Sequence, residues 1–294
     1  MTARYREHHI PSPDGLTLYA RDYGSDGPGT GDRLPVVCLA GLTRNSRDLH
    51  PLAVQLSTDP KAPRRVIAID TRGRGGSSWD ANVSRYTVPH EAGDVLTVLT
   101  ALGIGRAAFI GTSRGGLILH VLAAVQPQLL AAVVLNDVGP AIGIEGLRHI
   151  QSYVGRRPSF ASLAEAAKAM KHVHGPAFPK LEDADWLEFA AATLREIDGR
   201  YEPDHDPAIA DGMASLDLSQ PLPELWEQFD LFRSHPLMTI RGENSVLLTP
   251  EILDRMKARN PDMEIRLVAD QGHAPLLHLG GTPAAIKAFL DGAA

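Results

Sequence analysis

Four short apolar runs constrain the fold more than anything else in the chain. They are Pro35–Leu39, Arg65–Ile69, Ala107–Ile110 and Leu130–Leu135. Each is continuous rather than alternating, as strands buried on both sheet faces read. Helical patterns separate them at Asp48–Leu56, Thr87–Leu102 and Gly115–Val125. Strand and helix in turn at this spacing predict parallel strands joined by crossover helices. Ahead of them, Arg6–Ile10 and Leu16–Asp22 flank Ser12-Pro13-Asp14-Gly15 and predict a hairpin. The Gly-rich stretch Gly24–Gly31 reads as a solvated loop.

After Pro140 the rhythm stops. Gly146 to Arg233 shows no convincing buried strand, only helical stretches at Leu147–Val154, Leu163–His174, Asp185–Ile197 and Leu222–Phe232. The rhythm then returns, with Leu237–Ile240 and Glu264–Val268 as strands and Pro250–Arg259 and Thr282–Leu290 as helices. The expectation is one α/β core from residues 1–139 and 234–294, interrupted by a helical cap over 140–233. An insertion of this kind is expected over the C-terminal strand ends, where open α/β sheets bind ligands.

Composition removes whole classes of function. The chain has 294 residues, 44% of them hydrophobic and 22% charged, an ordinary globular mixture. With 29 basic and 35 acidic residues the net charge is −6, which argues against nucleic acid as a partner. Cys38 is the only cysteine, so an internal disulfide and a cysteine-based zinc cluster are excluded. No apolar run approaches the roughly 20 residues of a membrane helix, and Met1–His9 has no signal-peptide core. A cytoplasmic protein without a membrane partner is expected.

Chemistry concentrates at Gly111-Thr112-Ser113-Arg114-Gly115. It follows a predicted strand and opens a predicted helix, the context of a nucleophile elbow. A tight turn with a capping serine is the plainer reading, but the setting favours Ser113 as nucleophile. A serine hydroxyl needs a base. His273, in Asp270-Gln271-Gly272-His273-Ala274-Pro275, follows the last predicted strand, where a base arrives in the order serine, acid, histidine. His172 and His174 form only a pair without a third ligand, so they read as surface histidines and not as a metal site.

With these motifs the chain resembles the α/β-hydrolase fold family, in its branch of lidded esterases, lactonases and carbon–carbon bond hydrolases. Leu39-Ala40-Gly41-Leu42-Thr43-Arg44-Asn45 is similar to the family's strand-3 loop, with Ala40 in place of the usual His. Asp70-Thr71-Arg72-Gly73-Arg74-Gly75-Gly76-Ser77 is similar to its D-x-R-G-x-G-x-S turn. The resemblance implies a mostly parallel sheet with helices on both faces. It also implies an oxyanion hole from the backbone N–H groups of Leu42 and Arg114.

The acid departs from the family pattern. Its usual place after strand 7 reads Arg241-Gly242-Glu243-Asn244-Ser245-Val246, with Val246 where the Asp would fall. Asp137, in Leu135-Asn136-Asp137-Val138, ends the strand after the elbow and is the favoured substitute, with Glu243 as the alternative. Arg44, just past the oxyanion loop, and Arg114 are candidates to hold a carboxylate or enolate, and Arg148, Arg156 and Arg157 could do the same from the cap. Trp186 and Trp226 either line an apolar pocket or pack the cap helices. The reading is therefore a cofactor-free and metal-free serine hydrolase. It would cleave a small carboxylic ester or lactone through an acyl-enzyme, with Ser113, His273 and Asp137 as the triad. The alternatives are a carbon–carbon hydrolase of a vinylogous diketone and a non-catalytic receptor or scaffold. The oligomeric state is open.

Overall fold

Each apolar run becomes a strand of one eight-stranded sheet in a computed structural model that describes residues 5–25, 33–220 and 222–293. The strands are β1 (Tyr5–Pro11), β2 (Thr17–Tyr23), β3 (Val36–Leu39), β4 (Val66–Asp70), β5 (Ala107–Thr112), β6 (Leu130–Asn136), β9 (Leu237–Gly242) and β10 (Glu264–Val268). Two more, β7 (Leu194–Ile197) and β8 (Arg200–Pro203), pair separately. The sheet order is β1-β2-β4-β3-β5-β6-β9-β10. β1/β2 and β2/β4 are antiparallel, and every other pair is parallel. The predicted N-terminal hairpin is β1 and β2, with Tyr5 opposite Tyr23. The Gly24–Gly31 loop falls outside the described residues except for its first two positions.

The helices are α1 (His50–Ser57), α2 (Val88–Ala101), α3 (Arg114–Val125), α4 (Ile144–Val154), α5 (Leu163–His174), α6 (Asp183–Thr193), α7 (Pro207–Ala214), α8 (Trp226–Asp230), α9 (Pro250–Arg259) and α10 (Thr282–Gly292). Successive strand residues point to opposite faces, and the two faces have separate cores. Val37, Leu39, Ile67, Ile69 and Phe109 pack with Val95, Leu99, Leu119 and Leu122 of α2 and α3. Val36, Cys38, Val66, Ala68 and Ile110 pack with Leu52, Leu56, Ile286 and Phe289 of α1 and α10. This is the α/β-hydrolase fold: a mostly parallel sheet between two helical layers. No helix among the described residues is long and apolar enough to cross a membrane.

Besides α7, for which the sequence reading has no helix, the chain departs from that reading at two places between β6 and β9. The stretch expected to be one helix over Asp185–Ile197 ends at Thr193 and continues as β7, which turns through Asp198 and Gly199 into β8. Both turn residues have positive φ, 50° and 76°. That is the two-residue Asp-Gly hairpin signal, a strong local cue. The second departure is the stretch expected as the last cap helix. Phe229 and Phe232 are fully buried in the main core, packed with α3 residues. Alanines 166, 167 and 190 form a separate cluster with Phe178, Trp186 and Leu194.

Candidate active site

Ser113 sits between the last residue of β5 and the first of α3, with φ 51° and ψ −113°. Only a cramped turn holds a serine there. The glycines around it are required by contact: a Cβ on Gly115 would lie 2.4 Å from the Leu39 carbonyl oxygen, and one on Gly111 2.7 Å from the Gly115 backbone. The Ser113 N–H donates to the Asn136 carbonyl at 3.0 Å. Asn136 in turn donates through Nδ2 to the carbonyl of Pro275 at 3.0 Å, tying the elbow's neighbour strand to the histidine loop.

Because Thr112 pairs with Asn136 across β5 and β6, the residues that follow them emerge side by side. Asp137, with φ 55° and no exposed surface, is one of them. Its Oδ2 lies 2.8 Å from Nδ1 of His273, and Nε2 of that ring lies 2.9 Å from Ser113 Oγ. A carboxylate only accepts, so Nδ1 carries the proton and the bare Nε2 accepts from the serine hydroxyl. Asp137 is held by two further donors. The Gly242 N–H reaches Oδ1 at 3.0 Å and the Ser245 hydroxyl reaches Oδ2 at 2.6 Å. Glu243 is turned elsewhere, accepting the Asp270 N–H at 3.1 Å, and Val246 is half exposed. Sequence reasoning misses Ser245. Its signal is the loop where the family usually carries its acid, which here supplies a hydroxyl donor to Asp137.

Gly41 and Leu42 line a cavity of about 370 Å³ together with Ser113 and His273. Arg114 opens α3, and the N–H groups of a helix's first turn lack intrahelical partners. Its side chain points away from the cavity. Arg114 Nε and Nη2 grip both oxygens of Glu91 at 2.7 and 2.9 Å, and Nη2 also donates to the Tyr86 carbonyl. The expectation that this guanidinium holds substrate is therefore corrected. Glu91 also meets Nη1 of the buried Arg74 at 3.0 Å, and Arg74 Nε donates to the Leu42 carbonyl at 2.6 Å. One Arg74–Glu91–Arg114 chain, buried at Arg74 and Glu91, thus connects the Leu42 loop to the start of α3. Burial opposes the Glu91 charge, but the two guanidiniums outweigh it and hold the carboxyl below its usual value.

The D-x-R-G turn is otherwise structural. Asp70 accepts the N–H groups of Ser46 and Gly76, and burial raises it to about 6. Arg72 binds Asp94 through two nitrogens and Asp80 through a third.

The opposite wall of the cavity comes from the 140–233 stretch, including Tyr153, Phe160, Met170, Phe178, Trp186 and Phe189. Trp186 is 3% exposed and belongs to that stretch's own cluster. Trp226 is not at the cavity; it packs in the main core beneath Arg255 and Arg259. Arg44 lines the cavity, lies 4.4 Å over the Phe189 ring and meets Asp48 at 3.3 Å. Arg148 and Arg157 pair with Glu145 and Asp211, away from the cavity, whereas Arg156 lines it. His174 also lines it, contrary to the surface role expected for it, while His172 is exposed. Burial lowers His174 to about 4, and does the same for His205 on the far wall. No cluster of three potential metal-ligating side chains occurs among the described residues.

Comparison with known proteins agrees with this fold. The family model described as alpha/beta hydrolase fold matches residues 35–278. The 3-hydroxybutyrate-oligomer hydrolase of Cupriavidus necator is 31% identical over 276 residues, covering 90% of this chain and 89% of that protein. The 2-(acetamidomethylene)succinate hydrolase of Mesorhizobium japonicum is 27% identical over 264 residues, covering 88% and 85%. The crystal structure of an alpha/beta hydrolase from Novosphingobium aromaticivorans superposes with a TM-score of 0.89 at 36% identity, over 99% of both chains.

Proposed function

The chain belongs to the α/β-hydrolase fold family and is a hydrolase, and on that premise we propose that it cleaves a small carboxylic ester through an acyl-enzyme. The observation that carries this reading is the continuous hydrogen-bonded line from Ser113 Oγ through His273 to Asp137, at 2.9 and 2.8 Å, on the cavity wall. Ser113 Oγ attacks the ester carbonyl as His273 Nε2 takes its proton. Asp137 holds the ring and stabilises the imidazolium that forms. The negative oxygen of the tetrahedral intermediate is received by the N–H groups of Leu42 and Arg114. His273 then returns the proton to the leaving alkoxide. Water, deprotonated by the same nitrogen, releases the carboxylic acid and restores Ser113.

The cavity falls within the roughly 300–1,000 Å³ typical of small-molecule sites and is mostly apolar, with Arg44 beside the oxyanion loop. Together with the relative that acts on 3-hydroxybutyrate oligomers, this supports a short oligoester of a hydroxy acid as the substrate. The segment from residue 140 to about 220 acts as the cap that closes the site. Ser113→Ala is the test. It should lower kcat at least about a thousand-fold while the far-UV spectrum is unchanged, and a fluorophosphonate should label the parent at Ser113 and leave the variant unlabelled. Esterase activity near the parent's in that variant would refute the reading.

A further inference from the structure

The charges facing the cavity are few and of one sign. Among the described residues no aspartate or glutamate lines it, although the chain as a whole carries −6. Its two permanent cations are Arg44 and Arg156. Arg44 is already matched: Asp48 lies 3.3 Å from its guanidinium, with both side chains largely shielded from solvent, and its flat face is covered by Phe189. Arg156 follows the C-terminus of α4 and has no side-chain partner among the described residues. Its neighbours Arg148 and Arg157, by contrast, are both paired with acids outside the cavity. Of the three imidazoles at the cavity, His273 is bonded to the Asp137 carboxylate behind the wall, and burial keeps both His174 and His205 deprotonated down to about 4. The uncompensated charge on the wall is therefore close to +1, and it sits on one residue.

We infer that the cavity selects a substrate carrying a single carboxylate, and that Arg156 is the residue that receives it. This rests on the ester-hydrolase reading and narrows it to the acid-terminated oligoester. A neutral ester would leave the Arg156 guanidinium without a counter-charge. A dianion would bring a second carboxylate into an apolar cavity whose other cation is already matched, where an unpaired charge is strongly disfavoured. The monoanion satisfies the wall once. A guanidinium can do so through two parallel N–H bonds.

Binding reads this selection independently of turnover. Calorimetry on Ser113→Ala would use the linear dimer of 3-hydroxybutyrate, its methyl ester and its succinate half-ester, which carry one, no and two negative charges. The acid should bind about ten-fold or more tighter than the methyl ester, the scale of one charge-assisted hydrogen bond. That ratio should shrink as salt is raised, because Arg156 is exposed at the cavity wall. The half-ester should bind no tighter than the acid. Adding Arg156→Gln should bring the acid-to-methyl-ester ratio close to one, and Arg156→Lys should retain part of it. Equal binding of acid and methyl ester, a preference that survives Arg156→Gln, or a further ten-fold gain for the half-ester would each overturn the inference. If the preference stands but the parent enzyme hydrolyses none of the three, the ester reading falls and the anion site remains.

Discussion

On the proposed triad, Asp137 is a carboxylate that has changed its place in the chain without changing its place in space. The acid loop after β9 and the end of β6 are neighbours in the sheet, so a side chain from either can reach the same imidazole nitrogen. Here the β6 end provides the carboxylate, and the β9 loop contributes two donors to it, the Gly242 N–H and the Ser245 hydroxyl. Asp137→Asn keeps the shape but offers an amide to Nδ1, which disturbs the tautomer that Ser113 requires. It should lower kcat by roughly a thousand-fold or more. Glu243→Gln should retain most of kcat, since that side chain caps the Asp270 N–H instead. Measuring both variants with one nitrophenyl ester decides the matter, and the reverse ranking would return the acid to the β9 loop. At this scale Ser113 and His273 stand out because each lies in a motif of fixed context, and Asp137 only because it ends the strand beside the elbow. Ser245, His174 and the Arg74–Glu91 pair do not, because their roles depend on partners from other elements that no local pattern announces.

Elements meet tightly where β5 turns into α3, and that junction tolerates no side chain that an exposed helix would welcome. A methyl group on Gly115 would meet the Leu39 carbonyl oxygen, a backbone atom that cannot step aside. Gly115→Ala should therefore cost about 3 kcal/mol or more in urea unfolding. A methyl group on Gly93, within α2, would meet nothing within 4 Å, and Gly93→Ala should add about 0.5–1 kcal/mol through helix propensity. The same two helices are joined by Glu91, which reaches from α2 to Arg114 at the start of α3 and to Arg74 behind the Leu42 loop. Glu91→Gln would leave the buried Arg74 guanidinium and the partly buried Arg114 guanidinium facing one another. It should destabilise the fold by about 3 kcal/mol and lower kcat per phosphonate-titrated site. An unchanged kcat per titrated site would show that the chain supports the fold alone. Strands buried on both faces are readable because their apolar runs are continuous. The β7–β8 hairpin is not, since its strands are only four residues long and β7 follows α6 with no break, leaving Asp198-Gly199 as the cue. Sequence order alone places α8 with the cap, whereas its packing places it in the main core.

Across the whole molecule, the buried histidines should make stability depend on pH well above the usual carboxylate range. His120 is the clearest case, with no exposed surface and a place between Phe229 and Phe232 in the main core. Its Nδ1 lies 2.8 Å from the Gly116 carbonyl, which can only accept, so the proton is on Nδ1 and Nε2 is bare. Nε2 has no partner among the described residues, and protonating it would place a cation in an apolar setting. Burial accordingly pushes the ring down from 6.5 to about 4. Between those values the unfolded chain binds the proton and the folded one does not, so stability is full above about pH 6.5 and is lost as pH falls toward 4. His174 and His205 are lowered to about 4 by burial and add to the same trend. Asp70 acts in the opposite sense over part of the window, since a carboxyl raised to about 6 favours the folded state most at low pH and loses that contribution as pH rises through 6. One group is separated from the rest by substitution. His120→Leu removes the titration but also a hydrogen bond, so it should be less stable than the parent at pH 7. Between pH 7 and pH 5 it should then lose roughly 2 kcal/mol less than the parent does. Urea unfolding of both proteins at the two pH values checks this. Parallel losses in parent and variant would mean that His120 takes up its proton without cost in the folded core, and that the acid sensitivity arises at the cavity histidines instead.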